Sequence, residues 1–399
     1  MTRISDNQRT RQVAAEMNRA QEAIAAVREQ LASGKRINRP SDDPAQAARL
    51  VSIDDSRGRL EQYGRNADAA ESRLSLEEGA LSSVNDSLAR VRDLALAAGN
   101  GTSSDRDRDT FRLEITERLG ELYEAANTRD ASGDYLFGGS RTSTRPFDRG
   151  DPTVFNGDTV PRELPIGSTR RISTGDSGAD AFMNVPSGNG RFAVEADSAN
   201  TGGGVIAAGS VTDPTAFREA NYRIEFTSPT TFDVIDADAN TTLLAAQSFA
   251  DGASIVFEGI STSVSGSPAA GDVFHVSPSV SQDLFGTVAR LEKLLATPVT
   301  TPVDQTRLRQ GIDTAIVEID NALDTINAVR GRVGARLQAI DSARDENEGI
   351  VLQLERTATE LEDVDIADAV TRLESRAFAL EALQKSWMRV ENLSLFNYL

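Results

Sequence analysis

The sequence predicts an α+β fold. Long helices from the N- and C-terminal ends pair in a coiled-coil rod or helical bundle, and a central β-rich domain is inserted between them. Three observations predict it. Near the start, Val13, Met17, Ala20, Ile24, Val27 and Leu31 recur at alternating spacings of four and three, the heptad signature of helices that pack on helices. Near the end, Ile366, Val370, Leu373, Ala377, Leu380, Leu383, Trp387 and Val390 recur at spacings of three and four, with Arg372, Glu374, Glu381 and Lys385 facing outward. Between the two, 11 of the 13 prolines fall from Pro146 to Pro302, and none follows. Proline breaks helix interiors, so the chain reads helical, then non-helical, then helical. The expected domains are 1–44 with 362–399, a terminal coiled-coil assembly domain; 45–145 with 279–361, a helical rod domain; and 146–278, an outward-facing β-rich insert.

The first helix is expected to end near Ser33-Gly34, where glycine takes the left-handed cap conformation. Residues Gly34 to Ala45 read G-K-R-I-N-R-P-S-D-D-P-A, a loop containing Arg39, Pro40 and Asp42 and closed by Asp43 as N-cap with Pro44 as the first helical residue. Adjacent carboxylates ahead of a helix read as capping groups rather than an acid/base pair. Helices are then expected from Ala45 to about Gly99, through Leu74, Leu81, Val84, Leu88, Val91 and Ala95, and from Ser104 to Arg129, through Phe111, Ile115, Leu119 and Leu122. Asn100-Gly101 marks the turn between them. After Pro302 a long seam runs through Ile312, Ile316, Ile319, Leu323, Ile326, Val333, Leu337, Ile340, Val351, Leu354 and Leu361, with Gly331, Gly334 and Gly349 as points of bending. In the insert, Tyr222, Ile224 and Phe226 alternate with polar residues, Ser228-Pro229 turns, and Phe232 and Val234 resume the alternation: a hairpin. A further pair is expected from Ile255-Phe257 and Val273-Val276 across Gly266 to Gly271.

The formal charge of −19 argues against nucleic acid, because phosphate binding needs clustered cations. The insert alone holds 17 acidic residues against 7 arginines, a net charge of −10, as suits an exposed outer surface. With no cysteine, disulfides, thiolate catalysis and Cys-based zinc sites are excluded together. Residues 1–20 lack the apolar core of a cleaved secretory signal, and no run approaches the roughly 20 apolar residues of a membrane span. His275, the only histidine, stands in an expected strand without a helical partner and reads as structural or solvent-facing. Asp236, Asp238 and Asn240 begin like a calcium loop, but Thr241 stands where glycine is needed and Gln247 where glutamate is needed, so a polar turn is expected. Gly202-Gly203-Gly204 has no following lysine and reads as loop. Neither a catalytic nor a cofactor nor a metal site is expected, and no enzyme. The terminal helices are long and Ala-rich, and a two-helix hairpin alone is marginal, so their missing partners are expected to be other copies of the chain.

The N-terminal heptads, the loop Gly34 to Ala45 and Glu78 to Thr102 (E-G-A-L-S-S-V-N-D-S-L-A-R-V-R-D-L-A-L-A-A-G-N-G-T) resemble the flagellin superfamily of bacterial flagellar proteins. Two branches of it are open, the filament subunit and the junction between hook and filament. Arg39 to Pro44 (R-P-S-D-D-P), Tyr222 to Val234, Gly266 to Phe274 and the ending L-S-L-F-N-Y-L from Leu393 to Leu399 look like the junction branch. The resemblance implies a structural role: an adaptor ring joining hook to filament through self-association of terminal helices. The implied partners are copies of itself, a hook-associated protein on the hook side, flagellin on the filament side and an export chaperone. The implied location is the extracellular flagellum, reached unfolded through the flagellar type III channel without a cleaved signal. The alternatives are a filament subunit and a surface protein whose insert binds a ligand.

Overall fold

Among the described residues, three α-helices are followed by fifteen short strands and then by three more α-helices. The computed structural model describes residues 2–101 and 103–396, with side chains described for residues 8, 10–101 and 103–389. Thr102 and the last three residues of the C-terminal motif, 397–399, lie outside the described residues. The chain divides into two compact units, residues 1–65 with 343–399 and residues 66–342. The division cuts through two long helices rather than falling at their ends.

The first unit contains α1 (Thr2–Ser33), the opening of α2 (Pro44–Ala98), the close of α5 (Pro302–Glu362) and α6 (Ile366–Phe396). Gly331, Gly334 and Gly349 do not interrupt α5, which runs unbroken through all three. Helix α2 starts where the sequence places it because Asp43 Oδ1 accepts the Gln46 amide at 3.1 Å, leaving Pro44, with no N–H to satisfy, as the first helical residue.

In the second unit, α3 (Asp105–Ala126) opens on a capping box between Ser104 and Asp107, whose hydrogen bonds hold the Asp107 carboxyl below its usual range. Helix α4 (Leu284–Ala296) was not expected as a separate element. Its apolar spacing, Leu284, Val288, Leu291 and Leu295, buries all four residues, and Asp283 caps it by accepting the Gly286 amide at 2.6 Å. The helical core joins Leu74, Leu81 and Leu88 of α2, Ile115 and Leu119 of α3, and Ile319 and Ile326 of α5. Glu78 accepts from Arg330 at 2.7 Å, and Arg92 donates to Asp320 at 2.5 Å, so charge pairs flank this core.

An irregular stretch follows α3. Strand β1 (Phe147–Asp148) pairs with β2 (Val154–Phe155), β3 (Glu163–Pro165) with β4 (Arg171–Ser173), and β5 (Val185–Pro186) with β15 (Ser281–Gln282). A π-helical turn at Ala179–Met183 places Phe182 edge-on to Phe137 and Phe147, at ring separations of 5.0 and 5.4 Å.

The remaining strands are β6 (Phe192–Ala196), β7 (Gly203–Ile206), β8 (Ser210–Val211), β9 (Tyr222–Ser228), β10 (Thr231–Asp236), β11 (Thr241–Ser248), β12 (Ser254–Phe257), β13 (Ile260–Ser267) and β14 (Val273–Pro278). They form two antiparallel sheets, β11-β10-β9-β14-β6 and β12-β13-β7, with β8 added to β13. Both sheets give side chains to one core, including Tyr222, Phe226, Phe232, Phe257, Ile260 and Phe274, as in a β-sandwich. The β9–β10 hairpin forms as its alternation predicts. The expected pairing of Ile255-Phe257 with Val273-Val276 does not occur: β12 turns directly into β13, and β14 pairs with β9 and β6. The reason is the two-residue turn Glu258-Gly259, both at positive φ, which closes β12 on β13.

The glycine run is not all loop either, since Gly203 and Gly204 open β7. A Cβ on Gly204 would stand 3.0 Å from the Phe274 ring, so this strand approaches the opposite sheet only without a side chain. Asp236 Oδ1 accepts the amides of Asp238 and Ala239 in a polar turn, and His275 sits on β14, 3.2 Å from Asp197.

Asp272 organises the far end of the sandwich. It is 2% exposed, and its carboxylate accepts the amides of Thr201, Gly202 and Ala269 at 2.9, 3.2 and 2.8 Å. Asp272→Ala takes the acceptor from three amides, two of them half-buried, and we expect it to destabilise the sandwich by about 1–3 kcal/mol. Urea denaturation followed by tyrosine fluorescence measures the change; a loss under about 0.5 kcal/mol would contradict this role.

Candidate assembly surface

The surface is built where the two ends of the chain meet. Gly34, at φ +73°, ends α1 in the conformation glycine adopts without strain and turns its carbonyl to the Val364 amide at 3.0 Å. Arg36 donates its amide to the Glu362 carbonyl and its guanidinium to the Leu361 carbonyl at 2.7 Å, and Lys35 pairs with Glu362. Within the loop, Asp42 accepts the amides of Asn38 and Arg39 at 3.1 and 2.9 Å, and Arg39 reaches back to Glu29 at 3.2 Å. Arg39, Pro40, Asp42 and Pro44 are exposed and Asp43 is half-buried, while Ile37 and Val364 are buried, so backbone hydrogen bonds and a small apolar cluster fix this corner together.

From that corner α1 and α6 run antiparallel, since Lys35 lies beside Asp363 and the Ala23 carbonyl accepts from Arg376 at 2.9 Å. All six heptad positions of α1 point inward: Ile24 and Val27 are buried, and Val13, Met17, Ala20 and Leu31 are half-buried. Val27 and Leu31 meet Val364, Ala369 and Leu373.

The eight apolar positions of α6 do not share one face. Leu373, Leu380, Leu383 and Trp387 turn inward, half-buried. Ile366 is 65% exposed and Val370 40%, Ala377 is also exposed, and the Val390 side chain lies outside the described residues. The spacing explains the split. From Ile366 to Val390 the average step is below 3.5 residues, so the stripe drifts around a straight helix by about a third of a turn.

The inward stripe is instead Ala369, Leu373, Arg376, Leu380, Leu383 and Trp387, in the same four-three alternation as α1. Sequence reasoning missed Ala369, fully buried, because Arg376 interrupts the apolar register there. A second apolar stripe, Ile366, Val370, Ala377 and Met388, lies about 80° around the helix and faces solvent, with Phe378 beyond it at 75% exposure. Among the described residues no cluster of three His, Asp or Glu side chains could hold a metal, and no helix is long and apolar enough to cross a membrane.

Comparison with known proteins matches residues 4–142 to the bacterial flagellin N-terminal helical region and residues 195–278 to the D2-like domain of flagellar hook-associated protein 1. Flagellar hook-associated protein 3 of Salmonella typhimurium is 32% identical over 159 residues, 40% of this chain and 50% of that protein. The chain therefore spans about half the length of that relative. A flagellin of Salmonella muenchen is 38% identical over 117 residues, 29% of this chain and 23% of the flagellin. The crystal structure of flagellar hook-associated protein-3 from Legionella pneumophila is similar over 78% of this chain and 98% of that one, at a TM-score of 0.75 and 32% identity. By that similarity the chain belongs to the flagellar hook-associated protein 3 family.

Proposed function

We propose that the chain is a structural adaptor of the flagellum, a ring joining hook to filament through its terminal helices. The observation that carries this reading is the second apolar stripe of α6. α1 already fills the first, and an exposed apolar row on a helix of this length calls for a partner. Neighbouring copies of the chain supply it in this account. Residues 1–44 with 362–399 then form the assembly domain, 45–145 with 279–361 the helical support, and 146–278 the outward insert. The assembly seam comprises Val13 to Leu31 with Ile366 to Val390; Gly34 to Arg36 tie the two helices together, and Arg39 to Pro44 complete the loop behind them.

The insert favours the junction over the filament. Its sandwich matches a domain of a hook-associated protein, and the match to the Legionella pneumophila hook-associated protein-3 structure takes in 98% of that chain, whereas the match to a phase 2 flagellin of Salmonella abortus-equi takes in 42% of the flagellin. The partners on this reading are a hook-associated protein on the hook side and flagellin on the filament side. Export passes through the flagellar channel with the help of a chaperone, and the charge of −19 keeps monomers apart before they reach their site.

Deleting the gene tests the placement. Electron microscopy is expected to show complete hooks without filaments, and immunoblots abundant flagellin in the medium. Bare hooks with no other flagellin in the medium would make this chain the filament subunit; normal filaments would refute both. Leu380→Asp, which puts a charge on the inward stripe, is expected to abolish incorporation into flagella while circular dichroism and proteolysis show the sandwich intact. Wild-type incorporation of that variant would remove the seam from the account.

A further inference from the structure

Away from the terminal helices, one carboxyl group lies fully inside the protein without the partners a carboxylate needs. Glu77, on α2, is 1% exposed. Its Oε1 accepts the Asp176 amide at 2.9 Å, while its Oε2 is buried with no hydrogen-bond partner and packs against Gly175, where a Cβ would stand 3.3 Å away. The charged groups around it come from six elements and segments. Arg73, one turn earlier on α2, donates to Asp130 at 2.5 Å and to the Tyr135 carbonyl at 2.7 Å, so it is committed elsewhere. Asp130 comes from the stretch after α3, and Asp176 from the segment after β4. From α5, Arg336 grips the Asp176 carboxylate at 2.7 and 3.0 Å, and Arg332 lies 3.5 Å from it. Glu163 and Asp180 line the cleft of about 600 Å³ beside Asp176 and add negative charge on that side.

An ionised Glu77 would bury one uncompensated oxygen and face the Asp176 carboxylate, with both neighbouring arginines already paired. A protonated Glu77 has neither problem and keeps the bond from Asp176. The same short segment is tied down at two more points, Ser177 to the Asp158 carbonyl at 2.7 Å and the Gly178 amide to the Phe137 carbonyl at 2.9 Å. It therefore holds the irregular stretch between α3 and the sandwich against α2 and α5.

We propose that Glu77 and Asp176 form a proton-operated latch, which fastens the 174–178 segment to α2 while Glu77 keeps its proton and loosens as that proton becomes easier to lose. Burial first, and the Asp176 charge second, push the Glu77 carboxyl up to about 8 from its ordinary value of 4.5. The closed segment binds a proton that the opened one releases. The hold is therefore complete below the ordinary glutamate range, weakens as pH rises, and is spent once pH passes about 8, where Glu77 is ionised in both forms.

Hydrogen exchange of the full chain, corrected for the intrinsic pH dependence of amide exchange, tests this. The opening equilibrium reported by the amides of Asp176 and Gly178 is expected to rise by up to about tenfold per pH unit from about pH 5 to 8 and then level off. Glu77→Gln, which carries no titrating proton, is expected to flatten that profile. A flat wild-type profile, or an unchanged slope in Glu77→Gln, would overturn the latch. If that variant does not fold, carboxyl-carbon NMR of the wild type decides: one glutamate still protonated at pH 7 supports the latch, and complete ionisation by pH 6 refutes it.

Discussion

The contact on which the terminal half of the structure depends is the closure of the chain's two ends at a single corner. Gly34 to Ile37 meets Leu361 to Val364 through backbone hydrogen bonds, and Lys35 pairs with Glu362 across 327 positions of sequence. Isolated amphipathic helices are marginal in water, and the corner fixes two of them side by side. Once Gly34 has turned and Asp42 and Asp43 have taken up the loop amides, the register of α1 on α6 follows. Val27 and Leu31 of α1 then meet Ala369 and Leu373 of α6, and the other heptad positions of α1 are buried or half-buried.

That register also decides what is left over. A helix packed against one neighbour buries one stripe, and α6 carries two. The inner stripe holds Ala369 and Leu373 against Val27 and Leu31; the outer holds Ile366, Val370, Ala377 and Met388 in water. The sandwich, by contrast, closes its own core between two sheets, with Phe226 and Phe274 fully buried. An exposed apolar row on a terminal helix is the arrangement an assembling subunit requires.

Much of this was legible in the residues. The helix carrying the α1 heptads, the cap at Asp43 and the β9–β10 hairpin each rest on local chemistry, and each formed where that chemistry placed it. The failures were non-local. Whether Val273–Val276 pairs with Ile255–Phe257 or with Tyr222–Glu225 depends on which strand is brought near, and only the Glu258-Gly259 turn hinted at the answer. The exposed and buried stripes of α6 differ by about 80° of rotation, and spacings of three and four alone do not separate them over eight positions. Helix α4 is only 13 residues long and lies between prolines, where periodicity has few turns in which to show itself. Glu77 has no sequence signal, because its burial is made by Gly175 and Asp176 a hundred residues away.

The central claim is that α6 has one face for α1 and another for neighbouring copies. Because the chain contains no cysteine, a single introduced thiol reports on one face at a time. The most direct measurement is the rate of thiol labelling of Ile366→Cys and Ala369→Cys, in the monomer and in purified flagella. The account predicts that position 369 is protected in both states, and that position 366 labels rapidly in the monomer and at least tenfold more slowly after assembly. Equal labelling of position 366 in the two states would show that the outer stripe stays in water, and would contradict the account.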